Sequence, residues 1–222
     1  MITSDGSTTI HLPDWNEQYH SKHGAIQEAY HVFIKHGLEA ISNSKISILE
    51  IGFGTALNCF ITLLEAQKRN LVIDYVGVEA YPVTVEEVSK LNYVSELKAM
   101  DQRSLFDVMH ECSWEEKHFI SPNFDLVKRQ QFFQDITDKN VFDLVYFDAF
   151  GAEHQPHLWT ATIFKKMFTA LKINGILVTY SAKGSVRRAL QEVGFVVERL
   201  PGPPGKREML RATKVKSTIQ QS

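Results

Sequence analysis

The sequence predicts an α/β fold, a mostly parallel sheet with helices on both faces. Three observations carry this. Short apolar runs alternate along the chain with segments whose apolar residues recur at helical spacing. The first run, "KISILEIGF" (45–53), ends in glycine and leads directly into a helix-like segment. The last two runs, "GFVVERL" (194–200) and "EMLRAT" (208–213), are joined only by "PGPPGKR". That loop is too short for a parallel crossover, so the pair is antiparallel, and the expected architecture is a parallel sheet with one antiparallel edge strand near the C-terminus.

The elements follow in order. Residues 24–42 carry apolar residues at helical spacing and read as a helix. After the strand at 45–53 comes a helix over 55–70, whose last turn is basic, as the helix dipole favours. "VIDYVGVEA" (72–80) is the next strand. Residues 83–117 read as two or three helices forming an insert, and "FDLVKRQQF" (124–132) alternates as a strand. "VFDLVYFDAF" (141–150) is a strand, 162–171 a helix, and "INGILVTYS" (173–181) a strand entered through Asn174-Gly175. A short helix over 185–193 precedes the final antiparallel pair. The domain plan is an N-terminal helical segment (1–44) over the ligand site, a main domain (45–216) with its insert at 83–117, and a tail (217–222).

At 222 residues, 44% hydrophobic and 23% charged, the chain has the size and balance of one globular domain with a sizeable core. Cys59 and Cys112 show neither metal-ligand spacing nor a disulfide framework and read as two reduced thiols. His20 and His23, like His154 and His157, are close in sequence but lack a clear third ligand, so no metal site is expected. There is no G-x-S-x-G nucleophile signature. No apolar run approaches the length of a membrane span, and residues 1–14 are polar without a signal-peptide core. The expected location is cytoplasmic, with no membrane partner.

Charge is unevenly spread. Residues 183–216 hold nine Lys/Arg against three Glu, a net +6, which leaves −8 on the rest of a chain whose total is −2. A basic end on an acidic body is either a footprint for a polyanion or an uneven solvated surface.

"LEIGFGTALN" (49–58) is the strongest local signal: a strand, Gly-x-Gly, then a helix. Glycines let the backbone approach a ligand, and the helix start offers unpaired N–H groups. Glu79 ends the next strand, where a carboxylate accepts ribose hydroxyls. A dinucleotide site usually has a third glycine; here Leu57 takes that place. Glu50, just before Gly52, would repel a pyrophosphate but suit a cationic ligand. S-adenosylmethionine, with its sulfonium and ammonium, fits better than a nicotinamide or flavin nucleotide.

At the end of "LVYFDAFG" (144–151), Asp148 and Phe150 sit where a strand gives way to a loop. The carboxylate is either a cap or turn acceptor, or a group that handles a substrate proton.

Taken together, "EIGFGTALN", "YFDAF" followed by "QPHLWT", and "GSVRRALQEVGF…GKREML" resemble the methyltransferase domain of the MnmC family of bacterial bifunctional tRNA-modifying enzymes, a domain that also exists alone. The resemblance runs from about Tyr19 to the last strand. It implies a class I S-adenosylmethionine-dependent methyltransferase fold, Rossmann-like, with an antiparallel last strand. The implied reaction is N-methylation of the 5-aminomethyl group on tRNA wobble uridine 34, giving 5-methylaminomethyl-(2-thio)uridine. The family's fused flavin-dependent oxidase has no counterpart here, so the aminomethyl group is expected to come from other enzymes.

Position by position, the resemblance assigns Gly52, Gly54 and Asn58 to the cofactor loop, Glu50 beside them, and Glu79 to the ribose. Tyr19, Ser21, Gly24 and Glu28 match a segment lying over the cofactor. Asp148 and Phe150 match the acid and aromatic near methyl transfer, and Lys206 and Arg207 a basic pair before the last strand. The family's acid near the adenine is replaced by Gln131 or, further on, Asp135. Lys183, Arg187 and Arg188 are expected to join Lys206 and Arg207 on tRNA phosphates.

An alkyl amine titrates near ~10, so at neutral pH it must lose a proton before it attacks a methyl group. Asp148 is the expected acceptor, and Phe150 is expected to pack on the uridine, turned out of its stack. Trp159 reads as core. Two rival activities share the fold: methylation of another amine, and aminopropyl transfer of the polyamine-synthase type.

Overall fold

The innermost strands are apolar on both faces because helices cover both. Strand β3 (Lys45–Ile51) is buried at every position from Ile48 onward, and β7 (Phe142–Phe147) throughout. The computed structural model describes residues 3–8, 11–12, 17–18 and 24–216. It adds β4 (Val72–Glu79), β5 (Lys117–Ser121), β6 (Phe124–Gln130), β8 (Leu171–Thr179), β9 (Val196–Pro201) and β10 (Glu208–Thr213). The two-residue strands β1 (His11–Leu12) and β2 (Glu17–Gln18) pair with each other outside the main sheet.

The main sheet has eight strands in the order β5-β6-β4-β3-β7-β8-β10-β9. The run from β6 to β8 is parallel. From β3 the chain builds outward through β4 to β6, then returns to β3's other side for β7 and β8. The carboxyl ends of β3 and β7 therefore flank the point where strand order reverses, the place where open α/β sheets bind ligands.

Alternation along each strand divides the core in two. Ile46, Ile48, Tyr75 and Tyr146 pack on one face with Phe60 of α2 (Leu57–Arg69, the first long helix) and Phe106. Leu49, Ile51, Val145 and Phe147 pack on the other, against Phe164 and Met167. Full burial of side chains this size contributes about 1.5–3 kcal/mol each.

Seven α-helices are described: α1 (Ala25–Ala29), α2, α3 (Val85–Ser89), α4 (Tyr93–Glu96), α5 (Arg103–Glu111), α6 (Ala161–Ala170) and α7 (Gly184–Glu192). The helix expected over 24–42 is less regular. After α1 it widens into a π-helical stretch, Tyr30–Lys35, and breaks at Gly37. There a Cβ would lie 2.3 Å from the Phe33 carbonyl oxygen, so the chain turns where only glycine fits.

Two further corrections concern the sheet. β5 was not anticipated: it pairs antiparallel with β6 through a turn at residues 122–123, and its pattern is too exposed to mark it, with Phe119 82% exposed. The antiparallel last strand is present, but β10 lies inside the sheet, hydrogen-bonded to both β8 and β9, and the more exposed β9 forms the edge. A short hairpin fixes only that two strands are neighbours and not which lies outermost. Among the described residues no helix is long and apolar enough to cross a membrane.

Candidate active site

Two loops meet at the switch point. The Asp148 N–H donates to the Ile51 carbonyl (2.9 Å), tying the end of β7 to the end of β3. Gly52 follows with φ +88°, and a Cβ there would lie 2.6 Å from the Asp148 carbonyl oxygen. Gly52 and Phe53 N–H groups both donate to the Val78 carbonyl, fixing the loop against β4 as well. Gly54 and Ala56 also have positive φ, and α2 begins at Leu57 with no side-chain cap. The Gly-x-Gly stretch is thus a tight cradle ending on a helix start.

Glu79, at the end of β4, accepts from the Gly54 N–H (3.1 Å) and the Tyr81 N–H (3.0 Å). Burial pushes its carboxyl above the ordinary value. Beyond it stand two exposed rings, Tyr81 and Phe132, edge to face at 6.1 Å. Gln131 is half-buried just after β6, beside Phe132, and Asp135 is exposed on the next short turn. Sequence reading did not single out Tyr81 and Phe132; the signal was an aromatic two residues past the end of each of two strands.

Asp148 is half-buried, and its Oδ2 accepts from Asn58 Nδ2 at 2.8 Å. The same amide donates to Glu50 Oε1 at 2.9 Å. The surrounding apolar mass pushes the Asp148 carboxyl up to about 7; Glu28 adds to the rise, while the Asn58 bond and Lys206 oppose it. Two residues expected at the cofactor are held to each other here. Glu50 is 1% exposed and held by Asn58 and the Tyr75 hydroxyl (2.8 Å). Desolvation holds its carboxyl well above the ordinary value. Asn58, assigned to the cofactor, bridges the two carboxylates.

The loop after Asp148 is pinned by its carbonyls. The Tyr180 hydroxyl donates to Ala149 O (2.8 Å) and Trp159 Nε1 to Phe150 O (2.7 Å). Trp159 is buried against Phe147, as the core reading expected, and Phe150 is half-buried. The insert braces the cradle from behind: the Tyr93 hydroxyl meets Thr55 Oγ1 at 3.0 Å, and Trp114 packs edge-on to Phe53.

Glu28 faces Asp148 closely enough to act on its charge, and its Oε1 is 2.5 Å from Lys206 Nζ. Lys206 also lies over the Tyr180 ring. In this structure Lys206 is therefore turned into the site and does not stand on the surface as a phosphate contact. Lys183 pairs with Glu153 at 2.7 Å. Arg188 and Arg207 are exposed, and Arg187 is half-buried on α7. Gly24 adopts φ +133° beside Asp5. Tyr19 and Ser21, like His20 and His23, lie outside the described residues. Among the described residues no cluster of three or more His, Cys, Asp or Glu could hold a metal.

Residues 124–215 match the profile of a family described as S-adenosyl-L-methionine-dependent methyltransferase. Similarity to curated proteins extends further along the chain. The chain is 29% identical over 225 residues to the "tRNA 5-methylaminomethyl-2-thiouridine biosynthesis bifunctional protein MnmC" of Cupriavidus metallidurans, covering 94% of this chain and 33% of that protein. It is 27% identical to the protein of the same description from Hydrogenovibrio crunogenus, covering 88% of this chain and 31% of the other. The chain thus spans about a third of the length of the curated relatives it matches. Among solved structures it resembles MNMC2 from Aquifex aeolicus, with a TM-score of 0.75, 24% identity, and 96% of this chain and 68% of that one covered. That likeness supports the class I methyltransferase fold.

The site fits the family's cofactor. The cradle leaves no room for a side chain at Gly52, and Glu79 offers a carboxylate beside the Gly54 N–H. An acidic pocket suits a sulfonium and an amine better than a phosphate.

Proposed function

We propose that this methyltransferase N-methylates the 5-aminomethyl group of tRNA wobble uridine 34, giving 5-methylaminomethyl-(2-thio)uridine. The observation that carries the reading is Asp148: a carboxylate at the switch point, oriented by Asn58 and raised to about 7. The printed function of the MnmC relatives supports the choice of substrate.

When bound, S-adenosylmethionine would supply an electrophilic methyl group. Gly52 and Gly54 would give it close backbone approach, Glu79 would hold its ribose hydroxyls, and Tyr81, Phe132 and Gln131 would be the residues that hold its adenine. Asp148 accepts a proton from the substrate ammonium, whose pKa lies near ~10. A carboxylate lifted to about 7 is a better matched base than an ordinary aspartate, because the proton moves a shorter way uphill. The freed lone pair could then form an N–C bond with that methyl as the sulfonium S–C bond breaks, and the cofactor would leave as a neutral thioether. The product is a secondary ammonium, and the proton on Asp148 passes to solvent. Phe150 packs on the flipped uridine. Arg187, Arg188 and Arg207 meet phosphates, with Lys183 beside them. A tRNA substrate places the enzyme in the cytoplasm, downstream of enzymes that install the aminomethyl group.

The reading is tested by transfer of labelled methyl from S-adenosylmethionine to undermodified tRNA, against small amines and protein as competing acceptors. Label confined to protein or small amines contradicts it.

A further inference from the structure

The corner formed by Glu28, Tyr180 and Lys206 contains an ion pair that the proposed mechanism does not use. Lys206 Nζ is 2.5 Å from Glu28 Oε1 and 3.8 Å from the centre of the Tyr180 ring. The Glu28 side chain is only 13% exposed, and its second oxygen, Oε2, is buried with no hydrogen-bond partner among the described residues. The Tyr180 hydroxyl donates to the carbonyl of Ala149, the residue after Asp148, at 2.8 Å, which brings the Asp148 loop to this corner. A half-satisfied carboxylate beside an aromatic face, with a second carboxylate on the adjoining loop, is the chemistry that recognises an alkylammonium ion. A surface pair of this kind would be worth little, but here the acid is largely desolvated and left half-satisfied.

We infer that Glu28, Tyr180 and Asp148 form a subsite for a primary alkylammonium, and that Lys206 of this chain occupies it until the substrate amine enters. The inference rests on the proposed amine substrate, whose reacting end is a –CH2–NH3+ group like the end of a lysine. Lys206, fixed by its own stem, meets one oxygen of Glu28; a free alkylammonium carries the same three N–H donors without that tether and can divide them between Glu28 and Asp148 once Lys206 withdraws. Lys206 sits on the β9–β10 hairpin loop, where a Cβ at Gly202 would lie 2.4 Å from the Lys206 carbonyl oxygen and Gly205 has φ +82°. The loop is folded tightly enough to aim Lys206 inward while its neighbour Arg207 faces solvent. Lys206 is thus a gatekeeper of the amine subsite and contributes no step to the chemistry.

The test is calorimetric binding of n-butylammonium to the full chain. Lys206→Met should bind it at least ten-fold tighter than the wild type, and adding Glu28→Gln should remove the gain. n-Butanol should show no gain. Equal binding by Lys206→Met and the wild type overturns the proposal, as does an equal gain for n-butanol, which would mean an apolar void only. A Lys206→Met protein that folds but loses S-adenosylmethionine affinity ten-fold also overturns it, by assigning Lys206 to the cofactor. A second measurement needs no variant. In the wild type, acetylation of Lys206 read by peptide mass spectrometry should run at least ten-fold slower than that of exposed Lys139; equal rates refute the occupancy. Butylammonium binding that depends on Glu28 stands even if tRNA gains no methyl, so failure of the substrate reading and failure of the subsite are distinguishable.

Discussion

Asn58 and Asp148 meet at 2.8 Å, amide to carboxylate, and the same Asn58 nitrogen holds Glu50 at 2.9 Å. One side chain from the first turn of α2 thereby links an acid sealed inside β3 to an acid open to the cleft after β7. The donor aims Asp148 and limits how far burial raises its pKa.

Replacement of that acid separates chemistry from binding. Asp148→Asn keeps the shape and removes the proton acceptor. Its methylation rate should fall at least about ten-fold, the lower range for a positioned general base being about a hundred-fold. Calorimetric affinity for S-adenosylmethionine should stay within about two-fold. Wild-type turnover in this variant would remove Asp148 from the mechanism.

The pH dependence follows with a definite sign. Asp148 must be ionised to accept a proton, so kcat/KM should rise with pH along a limb centred at about 7. Stability moves the other way. The folded state holds this proton more tightly than the unfolded chain, where the carboxyl titrates near 3.8. Asp148's contribution therefore falls as pH rises from about 4 to 7 and levels off above. Thermal unfolding should show Asp148→Asn gaining on the wild type across that window. A constant difference in Tm between the two proteins from pH 4 to 8 would show that the carboxyl is not perturbed.

Asn58→Ala tests the bridge. It strips a donor from two carboxylates at once, at a residue 4% exposed, and should cost about 1–3 kcal/mol in unfolding free energy. Because the lost hydrogen bond lowers the Asp148 pKa, the acid limb of the rate profile should move above 7. An unmoved limb would mean that Asn58 does not orient Asp148.

The exposed arginines make a salt prediction. Arg188→Ala and Arg207→Ala should each weaken tRNA binding across all sequences and reduce the slope of log affinity against log salt by about one. Filter binding at several salt concentrations measures both. An unchanged slope in the double variant would place the tRNA contact elsewhere.

Much of this site was legible as strand-end chemistry. Gly52, Glu79 and Asp148 end three neighbouring strands, and an alternating α/β pattern with a Gly-x-Gly loop brings such ends together. The burial of Glu50 follows from a strand's period of two. Glu50 shares the face of Ile46 and Ile48, which is the face α2 covers, so its side chain points under the helix. Lys206 looked like part of a basic surface because net charge carries no direction; only the hairpin loop's fold shows it turned toward Glu28. Tyr81 and Phe132 are far apart in sequence and become a pair only when β4 and β6 lie side by side.

The most direct test of the account is nucleoside mass spectrometry on tRNA carrying 5-aminomethyluridine at position 34, after incubation with the protein and methyl-labelled S-adenosylmethionine. The account predicts one added methyl on that nucleoside, dependent on Asp148. An unmodified wobble uridine, or a methyl appearing on any other nucleoside, would contradict it.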